Sequence, residues 1–126
     1  MIDPVFLLDS NICIYLLNNF SPELAARVGD QPAGSLFMSS ITLAEIAVGY
    51  GHAIDDAPNL RAMIEQIPVL DFDEAAARVY GTLPFRRSRF DRLIAAHALS
   101  LNMAVITNNE ADCADIPGLR TENWTL

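Results

Sequence analysis

Short apolar runs alternate with longer segments of helical periodicity along this chain, and no other feature constrains its fold as strongly. Buried strands are predicted at residues 5–8, 36–39, 69–70 and 104–107, with a weak fifth strand near residues 119–122. Helices are predicted between them. Strands that alternate with helices form parallel sheets covered on both faces. The sequence therefore predicts an α/β fold with three layers, α/β/α, around a mostly parallel central sheet of four to five strands.

The 126 residues fit one domain, and neither a repeat nor a long linker divides them. Hydrophobic residues make up 52% of the chain, enough to bury a core without disulfides or a structural metal. Uninterrupted apolar runs stay shorter than a membrane span requires, and the first residues lack the basic region of a secretory signal. We therefore expect a single domain over residues 1–126, in a cytoplasmic protein without a membrane segment.

Glu45 is the only carboxylate or arginine between residues 39 and 53, where the predicted helix is apolar on almost every side. A helix of that composition is expected to be buried. Burying an ionised carboxylate without a partner is strongly unfavourable. Glu45 is therefore expected to meet a metal ion or an arginine, unless it lies at the solvent margin.

Three further acids are candidates for the same region. Asp9 directly follows the first predicted strand, Asp112 lies a few residues beyond the fourth, and Asp91 begins a helix. Each has an ordinary explanation, because Asp9 can cap a helix, Asp91 suits a helix N-terminus and Asp112 can be a surface acid beside Glu110 and Asp115. For Asp115 we expect only that surface role. The carboxyl ends of parallel strands, however, meet at one edge of a sheet.

Carboxylates gathered at one edge repel each other and favour a bound cation. Mg²⁺ and Mn²⁺ prefer oxygen ligands, and such a site suits phosphodiester hydrolysis by metal-activated water. The chain has no lysine, which excludes P-loop and Schiff-base chemistry. The sequence therefore predicts a hydrolase that uses Mg²⁺, with Mn²⁺ as a substitute. Its predicted catalytic residues and metal ligands are Asp9, Glu45, Asp91 and Asp112.

Four segments resemble, in order and spacing, the PIN-domain ribonuclease toxins of the VapC type, from bacterial type II toxin–antitoxin systems. They are residues 7–12 (LLDSNI), 39–45 (SSITLAE), 90–98 (FDRLIAAHA), and 105–109 (VITNN) leading to 116–119 (IPGL). The resemblance covers nearly the whole chain. It implies one PIN-like domain, Mg²⁺-dependent endonucleolytic cleavage of single-stranded RNA, a cognate antitoxin protein that blocks the site, and a homodimer.

Carried over position by position, the resemblance assigns Asp9, Glu45 and Asp91 to the acidic triad of the family. The fourth acid is assigned to Asp112, because Asn109 stands where many relatives have an aspartate. Supporting polar roles, which orient the acids or the scissile phosphate, are implied for Ser10, Asn11, Thr107 and Asn109. His97 is expected to be a core or hydrogen-bonding histidine rather than a general base.

The formal net charge of −8 argues against a polyanionic partner, unless positive charge is concentrated somewhere. Half of the eight basic residues fall within seven positions and surround Asp91 in sequence. Arginine holds phosphate oxygens bidentately. We therefore predict an RNA-binding edge formed by Arg86, Arg87, Arg89 and Arg92. Alternatively, these arginines pair with the surplus acids of the chain or with the antitoxin.

Two other functions remain open at this point. The chain could be a catalytically weak or inactive PIN-fold interaction protein, which predicts a gap in the set of acids. It could also be a PIN nuclease of RNA maturation that has no antitoxin.

Overall fold

The computed structural model describes residues 5–84 and 90–126, and within these ranges five strands form one sheet in the order β3-β2-β1-β4-β5. The strands are β1 (Phe6–Leu8), β2 (Leu36–Ser39), β3 (Val69–Leu70), β4 (Ala104–Ile106) and β5 (Thr121–Glu122). Each of the strand pairings is parallel. The predicted α/β class and the central parallel sheet are confirmed.

Helices connect the strands, as the sequence predicted. They are α1 (Ser10–Leu17), α2 (Pro22–Gly29), α3 (Ser40–Tyr50), α4 (Pro58–Gln66), α5 (Glu74–Tyr80) and α6 (Phe90–Ser100), with 3₁₀ helices at Gly51–Asp56 and Glu110–Cys113. Local sequence signals explain where several of them begin. Asp9 and Asp73 accept backbone N–H bonds at the starts of α1 and α5, and Pro22 and Pro58 occupy first-turn positions.

Successive residues of each strand point to opposite faces of the sheet, and this divides the core into two layers. Phe6 and Leu8 pack into the cluster that contains buried residues of α1, α2 and α4. Leu7, between them, packs against Ile94 and Ala98 of α6. Helices therefore cover both faces, which confirms the three-layer architecture. Within the described ranges, no helix is long and apolar enough to cross a membrane.

Helix α3 departs from the expectation of a buried helix. It fully buries only Thr42 and Ile46, which lie one turn apart on the same side. Ala44 is exposed, and the Val48 side chain is 84% exposed. The apolar composition misled the prediction because only one stripe of the helix faces the core. Glu45 lies at the border between the two sides and is half-buried.

Candidate active site

Asp9 occupies the edge of the sheet where β1 ends and α1 begins. Its side chain is buried, and its backbone N–H donates to the Ile106 carbonyl of the neighbouring strand at 3.0 Å. Its Oδ1 accepts from the Ile12 N–H at 3.0 Å, and the Thr107 hydroxyl donates to the same carboxylate. The helix start and the adjacent strand together fix this carboxylate in place.

The surroundings of Asp9 disfavour its ionised form. Burial is the largest cause that raises the pKa of Asp9, to about 6. The hydrogen bonds from Thr107 and Ile12 oppose that rise, and the charges of Asp91 and Glu45 add to it. Asp9 is therefore a buried acid close to at least two other carboxylates.

Ser10 connects this position to helix α3. Its Oγ donates a short hydrogen bond to Oε1 of Glu45, 35 residues later in the chain. Ser10 is buried and Glu45 is half-buried, so this hydrogen bond lies on the side of Glu45 that faces the protein interior. The predicted supporting role of Ser10 thus acquires a specific partner, and Glu45 is directed toward the end of β1.

The turn after β4 has a similar internal connection. The Asn109 N–H donates to the Thr107 hydroxyl at 3.0 Å, and Asn109 Nδ2 donates to Oδ2 of Asp112. Thr107 therefore contacts both Asp9 and the turn that precedes Asp112. Asn109 stands close to the predicted fourth acid rather than in place of it.

The four predicted acids act electrostatically on the same small region. Besides the effects on Asp9, burial raises the pKa of the Cys113 thiol to about 11, and the charges of Asp91, Asp9 and Asp112 contribute to that rise. Even so, among the described residues no three His, Cys, Asp or Glu side chains converge as closely as the ligands of one metal ion do. Mutual repulsion and the bonds from Ser10 and Asn109 are consistent with this spacing.

Arg92 does not occupy the position expected for an RNA-binding residue. Its side chain is 2% exposed, and its two terminal nitrogens bond inside the protein to Asp115, Pro84 and the Asp112 carbonyl. A guanidinium enclosed in this way cannot grip a phosphate at the surface, so Arg92 leaves the predicted RNA-binding group. The other three members, Arg86, Arg87 and Arg89, lie outside the described residues.

Asp115 is the functional candidate that sequence reasoning missed, because it was taken for a plain surface acid. A signal was available in the sequence of α6. Arg92 shares the helical spacing of the apolar residues Ala95 and Ala96, three and four positions later, which places it on the buried side. A buried arginine needs an acidic partner.

Two other polar residues can be placed. Asn11 is exposed on the first turn of α1, directly after Asp9 and after Ser10, which binds Glu45. His97 is buried, with Nδ1 2.9 Å from Ser39 Oγ, and burial lowers its pKa. The expectation of a hydrogen-bonding core histidine is confirmed.

Comparison with known proteins agrees with this geometry. The family described as the PIN domain matches residues 6–118, and the chain therefore belongs to the PIN-domain family. A curated relative from Shigella flexneri, named tRNA(fMet)-specific endonuclease VapC, is 34% identical over 130 residues, which cover 95% of this chain and 98% of the relative. The predicted resemblance to VapC-type endoribonucleases is confirmed.

Solved structures point to the same group. The DNA-bound VapBC structure from Salmonella typhimurium matches with a TM-score of 0.81 and 31% identity, covering 97% of this chain and 99% of the other. The VapBC2 structure from Rickettsia felis, bound to a DNA fragment from its promoter, matches with a TM-score of 0.82 and 27% identity, covering 95% and 98%.

Proposed function

We propose that this chain is a Mg²⁺-dependent endoribonuclease that cleaves single-stranded regions of RNA and acts, in the cytoplasm, as the toxin of a toxin–antitoxin pair. The observation that carries the proposal is the buried Asp9 carboxylate, whose pKa is raised to about 6 beside the charges of Asp91 and Glu45. Such an arrangement is unfavourable for the chain alone and becomes favourable when a cation binds.

The donor set fits a hard divalent cation, because it offers carboxylate oxygens. Asp9, Glu45, Asp91 and Asp112 would hold Mg²⁺, or Mn²⁺ in its place. When bound, the ion would supply an activated water as the nucleophile and stabilise the leaving oxygen.

The residues of the chain itself prepare this edge in two ways. Helix α1 and Thr107 hold the Asp9 carboxylate in one orientation. Ser10 and Asn109 restrain Glu45 and Asp112, so that two acids from distant parts of the sequence are oriented before a ligand arrives. Asn11 is exposed beside this edge, which supports a contact between its side chain and an RNA phosphate or sugar.

The proposed RNA-binding edge now consists of Arg86, Arg87 and Arg89, and it rests on the sequence alone. Changing all three to glutamine should weaken RNA binding and reduce its salt dependence, because fewer counterions are released. Mn²⁺ binding should be retained. An unchanged salt dependence in the triple variant would remove these arginines from the RNA-binding edge.

An antitoxin partner is supported by two observations. The similar structures from Salmonella and Rickettsia are VapBC structures. In this chain, a groove of about 240 Å³ between α1 and α3 is lined by apolar side chains, including Ile14, Leu17 and Ile46, and has Glu45 on its wall. A protein segment seated there would lie next to the acids and could block them. The homodimer stays a prediction from the resemblance.

The test is cleavage of RNA by the purified chain, with tRNA(fMet) as the first substrate because the Shigella relative is named for it. We expect internal cuts that require Mg²⁺ and stop when EDTA is added. We also expect the antitoxin encoded beside this gene to suppress the cleavage. RNA binding without cleavage would favour the inactive interaction protein. Cleavage with no adjacent antitoxin gene would favour a nuclease of RNA maturation.

A further inference from the structure

Arg92 is a buried cation of α6 whose guanidinium contacts two other parts of the chain. Its Nη1 and Nη2 donate to Oδ1 and Oδ2 of Asp115, each at 3.1 Å, in a bidentate pair. Nη2 also donates to the Pro84 carbonyl at 2.8 Å, and Nη1 reaches the Asp112 carbonyl at 3.4 Å. The guanidinium therefore joins the first turn of α6, the turn after β4, and Pro84 in the segment that follows α5.

This placement has a direct consequence for the candidate site. Arg92 follows Asp91 in the sequence, and its backbone is fixed in the same helical turn. Asp112 belongs to a four-residue 3₁₀ helix, Glu110–Cys113, which is too short to hold its own position. Cys113 packs against Ala95 of α6, and the fork of Arg92 adds hydrogen bonds from the turn of α6 that carries Asp91 to the Asp112 carbonyl and to Asp115.

Stability alone does not account for such a pair. Well-packed apolar residues of similar volume often stabilise a fold as well as a buried ion pair does, because burying both charges is costly. What apolar residues cannot supply is direction, since the planar guanidinium fixes its acceptors at defined angles.

We propose that Arg92, paired with Asp115, is a positioning residue that sets the distance between Asp91 and Asp112 and thereby tunes the affinity of the site for a divalent cation. The proposal rests on the proposed function only in taking Asp91 and Asp112 as ligands. It assigns Arg92 no contact with RNA and no part in proton transfer.

The test removes both charges together, so that no unpaired ion is left in the interior. The double variant Arg92→Met/Asp115→Asn is compared with Arg78→Met/Glu74→Gln. The control removes an ion pair of similar length, 2.7 Å, whose side chains are 78% exposed. Mn²⁺ affinity is measured from the electron paramagnetic resonance signal of the unbound ion, thermal melting is followed without metal, and RNA cleavage is measured in parallel.

We expect the Mn²⁺ dissociation constant of the double variant to rise about tenfold or more, as for other residues that orient metal ligands. The kcat for RNA should fall, while KM stays within about twofold, since Arg92 does not contact RNA. The control should match the wild type in every measurement. The variant Asp115→Glu, which keeps a carboxylate for the fork, should retain most of the affinity.

An unchanged Mn²⁺ dissociation constant in a folded double variant would overturn the proposal. If that variant shows no cooperative melting, Arg92→Lys decides by the same criterion, because lysine keeps the charge and loses the fork. A wild type that binds Mn²⁺ but cleaves no RNA would contradict the proposed function and leave the positioning role to the Mn²⁺ measurement. A wild type that binds no Mn²⁺ would overturn both.

Discussion

The two ends of the candidate site are built by different means. At the Asp9 corner (Asp9, Ser10 and Thr107), the acid is held by a strand end, a helix start and a neighbouring strand. At the Asp112 corner (residues 110–115 with Arg92), the acid belongs to a short 3₁₀ turn. The buried Arg92 guanidinium donates hydrogen bonds to the backbone of Asp112 and to the Asp115 carboxylate. Regular secondary structure fixes the first corner, whereas side-chain contacts hold the second, among them the Arg92–Asp115 pair and the packing of Cys113 against Ala95 of α6.

The difference indicates where each corner is vulnerable. Changing the Asp9 carboxylate to an amide leaves the backbone of its corner intact, because both aspartate and asparagine cap a helix. Changing Asp115 leaves the Asp112 side chain untouched but removes the support of its turn. Changes at the first corner should therefore alter metal binding and cleavage without moving the backbone. Changes at the second should shift the turn of Asp112 and lower the stability of the fold.

The largest effect is expected for Asp9→Asn. RNA cleavage should fall at least about a hundredfold, because a central ligand is lost, whereas the metal-free protein should become more stable at pH 7. The sign follows from the raised pKa, since the folded state disfavours the ionised acid that pH 7 imposes, and the amide avoids that cost. Melting without metal at pH 7 checks the stability of the variant. Melting with millimolar Mg²⁺, compared with Na⁺ at equal ionic strength, checks the loss of the metal ligand, because the wild type should gain stability from Mg²⁺ and the variant should not.

The matched control is Asp73→Asn, which changes the capping aspartate of α5 in the same way. It should leave cleavage and the response to Mg²⁺ unaltered. A variant at Asp9 that still gains stability from Mg²⁺ would show that the ion binds elsewhere.

The next largest effect should be the loss of stability in Asp115→Asn. The variant leaves the Arg92 guanidinium buried without its anionic partner, and we expect a loss of about 2 kcal/mol, below the usual figure because the Asp115 side chain is 30% exposed. This corrects the expectation that Asp115 is an unimportant surface acid. Urea unfolding is the measurement, with Glu74→Gln in the exposed pair expected to change stability by less than about 0.5 kcal/mol.

A smaller effect is expected for Asp112→Asn, which should reduce Mg²⁺-dependent cleavage about tenfold. The control is Glu110→Gln, because that exposed side chain can still accept from the Thr121 hydroxyl. Equal cleavage by wild type and Asp112→Asn would transfer the fourth role to Asn109 or to water.

The smallest effect concerns the two buried thiols, only one of which lies at a corner of the candidate site. Cys13 is a buried residue of α1 in the core, whereas Cys113 ends the 3₁₀ turn at the Asp112 corner. Both should react slowly with a thiol reagent, with Cys113 reacting first through local opening of the turn. Asp115→Asn should speed labelling of Cys113 about threefold without changing Cys13, as mass spectrometry of the labelled peptides can determine. Parallel acceleration at both sites would indicate general loosening.

Sequence reasoning succeeded where local chemistry determines the structure. The end of β1 before Asp9 was predicted, and the helix starts at Pro22, Pro58 and Asp73 follow from the short-range rules for capping residues and first-turn prolines. The identification of the family was equally accessible, because four ordered segments carry it.

Sequence reasoning failed where the position of a side chain depends on a partner that is distant in the sequence. Arg92 lies within a dense run of arginines, and composition alone favoured a surface role, but its acceptors are 8, 20 and 23 residues away. The exposed face of α3 was missed for a related reason, since an apolar helix is buried only where another element packs on it. Both outcomes depend on tertiary packing, because the spacing in α6 indicates that Arg92 is buried but does not identify its acceptors, and no local pattern shows which face of α3 is covered.

The strand order has a consequence for how the protein comes into being. The central strand β1 pairs on one side with β4, which is made almost a hundred residues later, and Thr107 reaches Asp9 only when that pairing forms. A growing chain on the ribosome can fold its first helices and β2 against β1, but the candidate site lacks Thr107 and the turn of Asp112 until β4 and the residues after it have emerged. The proposed nuclease would therefore become active only after β4 has been made, and the proposed antitoxin, if synthesised earlier, would meet it before any RNA is cut.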